Sequence, residues 1–114
     1  MDIDIDIEKA LNFIRDNAKK FAEAKGERVY FEQFRKSKKA LLMLEAEKNG
    51  VKTGQERESY AYSHPDYLSL LTALQVAVER EEYLKLMIAG CNTKIDLWRT
   101  TQANMRSERS AYGA

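Results

Sequence analysis

The sequence predicts an all-α protein: a long antiparallel helical hairpin, coiled-coil-like, that assembles into a bundle. Three observations predict it. Residues 2–49 and 65–112 are stretches of equal length, both rich in Ala, Leu, Glu, Lys, Gln and Arg, the strongest helix formers. One polar interruption, NGVKTGQERESYAYSH, separates them, and its Asn-Gly pair marks a change of direction. The second stretch carries an apolar repeat in alternating steps of three and four, the pattern of a helix packed lengthwise on a neighbour. The expected organisation is a single helical domain over 1–114, with arm 1 at about 2–49, a loop at about 50–64 and arm 2 at about 65–112. Each arm spans roughly 70 Å if continuous, at about 1.5 Å per residue.

Arm 1 is the less regular of the two. Ile3, Ile7, Ala10, Leu11, Ile14, Ala18, Phe21 and Ala22 make one stripe, and Tyr30, Phe34, Ser37, Leu41 and Leu44 make another. On an uninterrupted helix the second is rotated by about 150° from the first. The switch falls at Lys25-Gly26-Glu27, so the arm is expected either to kink near Gly26 or to divide there into two helices. The opening DIDIDIE alternates like a strand but has no strand to pair with; a frayed acidic helix start is the better reading.

Arm 2 is announced by Ser63-His64-Pro65-Asp66, read as a Ser cap, a first-turn Pro and an acid three residues after the cap. Its seam runs Tyr67, Leu70, Leu74, Ala77, Glu81, Leu84, Ile88, Cys91, Ile95, Trp98, Gln102, Met105, Arg109, Tyr112, and eleven of these fourteen are apolar or aromatic. An unbroken seven-residue repeat favours left-handed supercoiling. Gly113 marks the end. If residues 49 and 65 are level, facing residues have numbers that sum to about 114, because both helices rise equally per residue. That register sets Ile14 beside Trp98, Phe21 near Cys91, Arg35 near Glu79, and Asp4, Asp6 and Glu8 near Arg106 and Arg109.

Composition excludes several classes of function. Lys+Arg number 19 and Asp+Glu 18, a balance unlike that of a strongly basic nucleic-acid sleeve or an acidic tail. One Pro and five Gly are too few for a turn-rich sandwich. A single Cys needs no oxidising compartment. No apolar run approaches the roughly 20 residues of a membrane span, and MDIDIDIE is the opposite of a signal or transit peptide. A cytoplasmic protein is expected, with no membrane contact.

No catalytic, cofactor or metal site is expected. His64, the one histidine, stands among helix-start residues, which favours a capping or loop role over proton transfer. Cys91 lies on the seam, where a small packing side chain belongs; a nucleophile would need an exposed, electropositive niche. Phosphate-loop, HExxH, GxSxG and CxxC motifs are absent. The basic stretch RVYFEQFRKSKK combines Arg28, Arg35, Lys36, Lys38 and Lys39 with three aromatics, the makings of a nucleic-acid track. The favoured reading makes Tyr30 and Phe34 core and the cations a solvated face answered by Glu79, Glu81 and Glu82. Glu81, Gln102 and Arg109 interrupt the seam; such residues either fix register or mark where it opens to water.

YAYSHPDY, AVEREEYLK, KIDLWRTTQANMRSER and a closing AYG, over about 55–113, resemble small helical proteins encoded by bacteriophages, with support from KSKKALLMLEAE upstream. The resemblance implies a phage or prophage accessory protein acting in the bacterial cytoplasm within DNA metabolism, and assigns no functional residue. Together these readings point to a non-enzymatic protein–protein interaction or assembly module. Its seam is Leu70, Leu74, Leu84, Ile88, Ile95, Trp98 and Met105, and its partners are a second copy, a dimer being favoured, or an unknown phage or host protein. The alternative is a nucleic-acid-associated factor of phage replication or recombination that uses the basic stretch.

Overall fold

The computed structural model describes residues 6–113 and is all-helical: α1 (Ile7–Lys48), α2 (Gly54–Ser63) and α3 (Pro65–Ala111). Ile3, Asp4 and most of the DIDIDIE opening lie outside the described residues. The helical hairpin is the observed architecture, with α1 and α3 as its arms. Two compact units divide the chain, one of Met1–Phe21 with Tyr83–Ala114, the other of Ala22–Glu82, and each is described by itself.

In the first unit, Asp6 starts α1: its carboxylate accepts from the Lys9 N–H at 3.0 Å, filling one of the orphan donors of a helix start. Asp6 therefore caps a helix, and Arg106 and Arg109 are exposed. The core is Ala10, Cys91 and Ile95, with Ile7, Phe13 and Ile14 packed against it. The expected placement of Phe21 near Cys91 and Ile14 beside Trp98 gives way to this set, which sits further towards the start of α1.

In the second unit α1 runs unbroken through Gly26, so the arm is one helix and not two. No break is needed, because the inward face does not follow the apolar stripe across this segment. Ala24, Leu42 and Ala46 are buried and Arg28, Phe31, Arg35 and Lys38 half-buried, again at steps of three and four. Tyr30, Phe34, Leu41 and Leu44, expected to face the core, face outward instead.

The corner corrects the loop expected at about 50–64, which holds the ten residues of α2. Gly50, at φ 87°, ends α1. The Val51 N–H reaches the Ala46 carbonyl at 3.0 Å and the Gly50 N–H that of Glu47 at 3.1 Å, the Schellman pattern that needs a left-handed residue. Thr53 caps α2, its hydroxyl accepting from the Glu56 N–H at 3.2 Å. The α2–α3 junction is His64, extended as a residue before proline should be. Its Nδ1 accepts from the Asp66 N–H at 3.0 Å, so His64 takes the capping role expected of Ser63. The Ser63 hydroxyl donates back to the Ser59 carbonyl at 2.7 Å.

Helix α2 folds back along the last turns of α1. Leu42, Ala61 and Tyr67 form a buried cluster with Met43 and Leu71, and the Arg57 Nε donates to the Val51 carbonyl at 2.9 Å. Because α2 occupies the length of those turns, α3 starts below the end of α1: Asp66 is 3.5 Å from Lys38, not from a residue at the tip. The expected register is displaced accordingly. A sum of 114 sets Arg28 opposite Leu86; Arg28 meets Glu81, five residues earlier, and Glu27 meets Arg80.

Candidate interaction surface

The outward face of α1 in the second unit is a stripe of large apolar side chains. Tyr30 is 61% exposed, Phe34 37%, Leu41 57% and Leu44 53%. Their spacing of four, seven and three residues, with Ser37 completing the series, is that of a packing seam. Helix α1 therefore carries two seams, one turned to α3 and one turned to solvent. The Tyr30 and Phe34 rings stack with centroids 5.8 Å apart and planes within 5°, which stiffens them as one exposed plate. Further along, Leu41, Leu44, Lys38, Lys48 and Asp66 line a shallow open groove of about 330 Å³.

The inward seam is held by charge where it lacks hydrocarbon. The Arg28 guanidinium forks onto Glu81: Nε donates to Oε2, and Nη2 to Oε1 at 3.2 Å. Its Nη1 also donates to both oxygens of Glu32 at 3.0 Å. These bonds, those to Glu81 first, hold Arg28 above its already high ordinary pKa. Glu81 is 7% exposed, and a buried carboxylate is tolerable only with such partners. Of the two readings for this interruption of the seam, the geometry is that of a register-fixing pair.

The basic stretch is largely engaged within the chain. Besides Arg28, Lys38 meets Asp66, and Lys39 meets Glu58 at 3.3 Å while lying 4.7 Å above the Tyr62 ring. Tyr62 and then Glu58 raise the pKa of the Lys39 ammonium. Arg35 is half-buried on the inward seam and Lys36 is exposed. Of the expected Glu79, Glu81 and Glu82, Glu81 answers Arg28; the other carboxylates that meet these cations are Glu32, Asp66 and Glu58.

On α3, Leu70, Leu84 and Ile95 are buried, Leu74, Ile88 and Trp98 half-buried, and Met105 exposed. Leu70, Leu84 and Ile95 are thus covered within one chain before any partner arrives, and Leu74, Ile88 and Trp98 are covered in part. Large exposed apolar residues of α3 in the first unit are Tyr83, Leu86, Met87, Leu97 and Met105. Cys91 is buried in its core cluster, and His64 lies 3.6 Å from Glu45 at the corner. Among the described residues no group of three His, Cys, Asp or Glu side chains is arranged to hold a metal ion, and no helix is long and apolar enough to cross a membrane.

Sequence reasoning found the stripe Tyr30–Leu44 but turned it inward, and it missed the polar inner seam. The signal was present: the steps Ile7, Ala10, Ile14, Asn17, Phe21, Ala24 continue without a stutter through Arg28, Phe31, Arg35, Lys38 and Leu42. Comparison with protein-family models, with curated proteins and with solved structures gives no match for this chain.

Proposed function

We propose that this protein is a non-enzymatic, α-helical interaction module that works by self-association and by presenting a stiff apolar helix face to a partner. An accessory role in a phage or prophage, inside the bacterial cytoplasm, is the setting its sequence resemblance suggests. The observation that supports the reading is the second seam of α1, exposed at Tyr30, Phe34, Leu41 and Leu44. Such a contiguous apolar face is costly to leave in water and characteristic of a docking surface. Engagement of Arg28, Lys38 and Lys39 by carboxylates of the same chain weighs against the nucleic-acid alternative.

The test is made on the full chain at physiological salt. Sedimentation velocity should show reversible, concentration-dependent association, while titration with labelled single-stranded and duplex DNA and RNA gives at most weak binding that salt removes. Sub-micromolar nucleic-acid binding, lost when Arg35, Lys36, Lys38 and Lys39 are all replaced by Gln, transfers the function to the nucleic-acid class.

A further inference from the structure

The inference rests on the interaction-module reading and names the occupant of the surface. We propose that the outward stripe of α1 binds the same stripe of a second copy, antiparallel, across a two-fold axis between Phe34 and Ser37. A two-fold interface must be self-complementary, and this stripe is so in three respects.

Shape is the first. In antiparallel helix pairs, residues that begin the three-step of one repeat lie opposite residues that end it in the partner. Centring the pair between Phe34 and Ser37 therefore sets Phe34 against Ser37 of the other copy, and Tyr30 against Leu41. The ring of Phe34 meets the smallest side chain of the stripe, so the helices approach closely at the axis. Tyr30 is delivered to the groove lined by Leu41, Leu44, Lys38 and Lys48, where its ring packs on leucine and lies beside two ammonium-bearing stems. By symmetry both grooves fill at once.

Charge is the second. Extending the same spacing outward brings in Glu23 and Glu27 at one end of the stripe and Lys48 at the other. The antiparallel pair sets Glu23 against Lys48 of the second copy, twice, while Glu27, beside Leu44 of that copy, keeps Arg80 of its own chain as counter-charge. A parallel pair would stack Glu23 on Glu23, Glu27 on Glu27 and Lys48 on Lys48, which like-charge repulsion disfavours. Lys38, beside the seam, brings its own counter-charge in Asp66.

Area is the third. The exposed fractions of Tyr30, Phe34, Leu41 and Leu44 amount to roughly 450 Å² per copy and 900 Å² for the pair, given the usual surface of such side chains. With Glu23, Gln33, Ser37, Ala40 and Lys48 at the rim, the total reaches the lower end of the range for specific interfaces, about 1,200 Å². The complex is a reversible dimer.

Two experiments on the full chain test this. Sedimentation from about 5 to 200 µM, the range where a modest interface titrates, should give a monomer–dimer equilibrium. The change Leu41→Glu, at an exposed position of a helix, should weaken it by at least tenfold with an unchanged circular dichroism spectrum, each substitution counting twice. In the second, Glu23→Cys and Lys48→Cys are oxidised separately and as an equal mixture, with the unmodified protein as control. A disulfide-linked dimer should form far more in the mixture than in either variant alone. Crosslinking of each variant with itself, or a mixture no better than the single variants, overturns the antiparallel pair. An oligomer that survives Leu41→Glu also overturns this interface, while leaving the interaction-module reading standing on another face. A monomer at every concentration overturns the second copy as occupant; the wider reading is then decided by whether a partner of other sequence binds and is lost with Leu41→Glu.

Discussion

Adjacent leucines give the sharpest test of which way α1 faces. Leu42 is 4% exposed, in the cluster with Ala61 and Tyr67, whereas Leu41 is 57% exposed. Replacing either by Ala removes the same three carbons. For Leu42 the transfer term is about 2.4 kcal/mol, at about 0.8 per buried carbon. A cavity beneath the α2 corner, only partly able to collapse, raises the total to about 3 kcal/mol. For Leu41 less than half of the side chain is covered, so the same arithmetic gives about 1 kcal/mol, and the better helix propensity of Ala returns a few tenths of it. At about 4–8 °C per kcal/mol for a domain of this size, Leu42→Ala should lower the melting temperature by roughly 12 °C or more and Leu41→Ala by a few degrees. Thermal melts followed by circular dichroism should be run near 1 µM, a concentration low enough to suppress association by mass action. Equal losses, or a larger loss at Leu41, would refute the inward seam and restore the apolar stripe as the core.

Gly50→Ala should cost about 1–2 kcal/mol, the penalty of a left-handed L-residue, measured by urea unfolding; no loss would mean that the corner does not depend on the Schellman turn. Thr53→Ala should cost about 1 kcal/mol through loss of the α2 cap, and a value near zero would show that packing of Ala61 alone holds α2 in place. Glu81→Leu should destabilise strongly, since it leaves Arg28 with Glu32 only; Arg28→Leu/Glu81→Leu together should be more stable than Glu81→Leu alone. Additive losses in that double-mutant cycle would dissociate the pair from the register.

Much of this architecture was legible in the sequence, and the parts that were not have two causes. The α3 seam was readable because it is apolar nearly throughout and its chief interruption, Glu81, is solitary. Arm 1 misled because hydrophobic periodicity measures which face would prefer burial, not which face is buried. Here the inward positions Arg28, Arg35 and Lys38 are half-buried long side chains, a type whose methylene stem tolerates burial while its charged end stays with carboxylates or water. The exposed stripe Tyr30, Phe34, Leu41 and Leu44 then stood out as a core. Helix α2 announced itself only through Thr53 and Glu56, a cap signature easily lost in a polar stretch. The register error of five residues at Arg28 follows from that missed helix. The candidate surface was thus legible in its membership and illegible in its direction.

A seven-residue repeat is nearly indifferent to sliding: move one helix by one heptad and apolar still meets apolar. A chain with two such helices is exposed during folding to a ladder of misaligned hairpins of similar energy, each a kinetic trap. The Arg28–Glu81 contact removes that degeneracy. A slip of one heptad one way would bring Arg28 against Leu74 and Glu81 against Phe21, setting both charges on hydrocarbon; the other way it would bring Arg28 against Ile88 and leave Glu81 with Arg35 in place of the Arg28 fork. Only the native rung sets Glu81 against the Arg28 fork. The pair shapes the landscape by raising its competitors, which makes the funnel steep where the pattern alone would leave it flat.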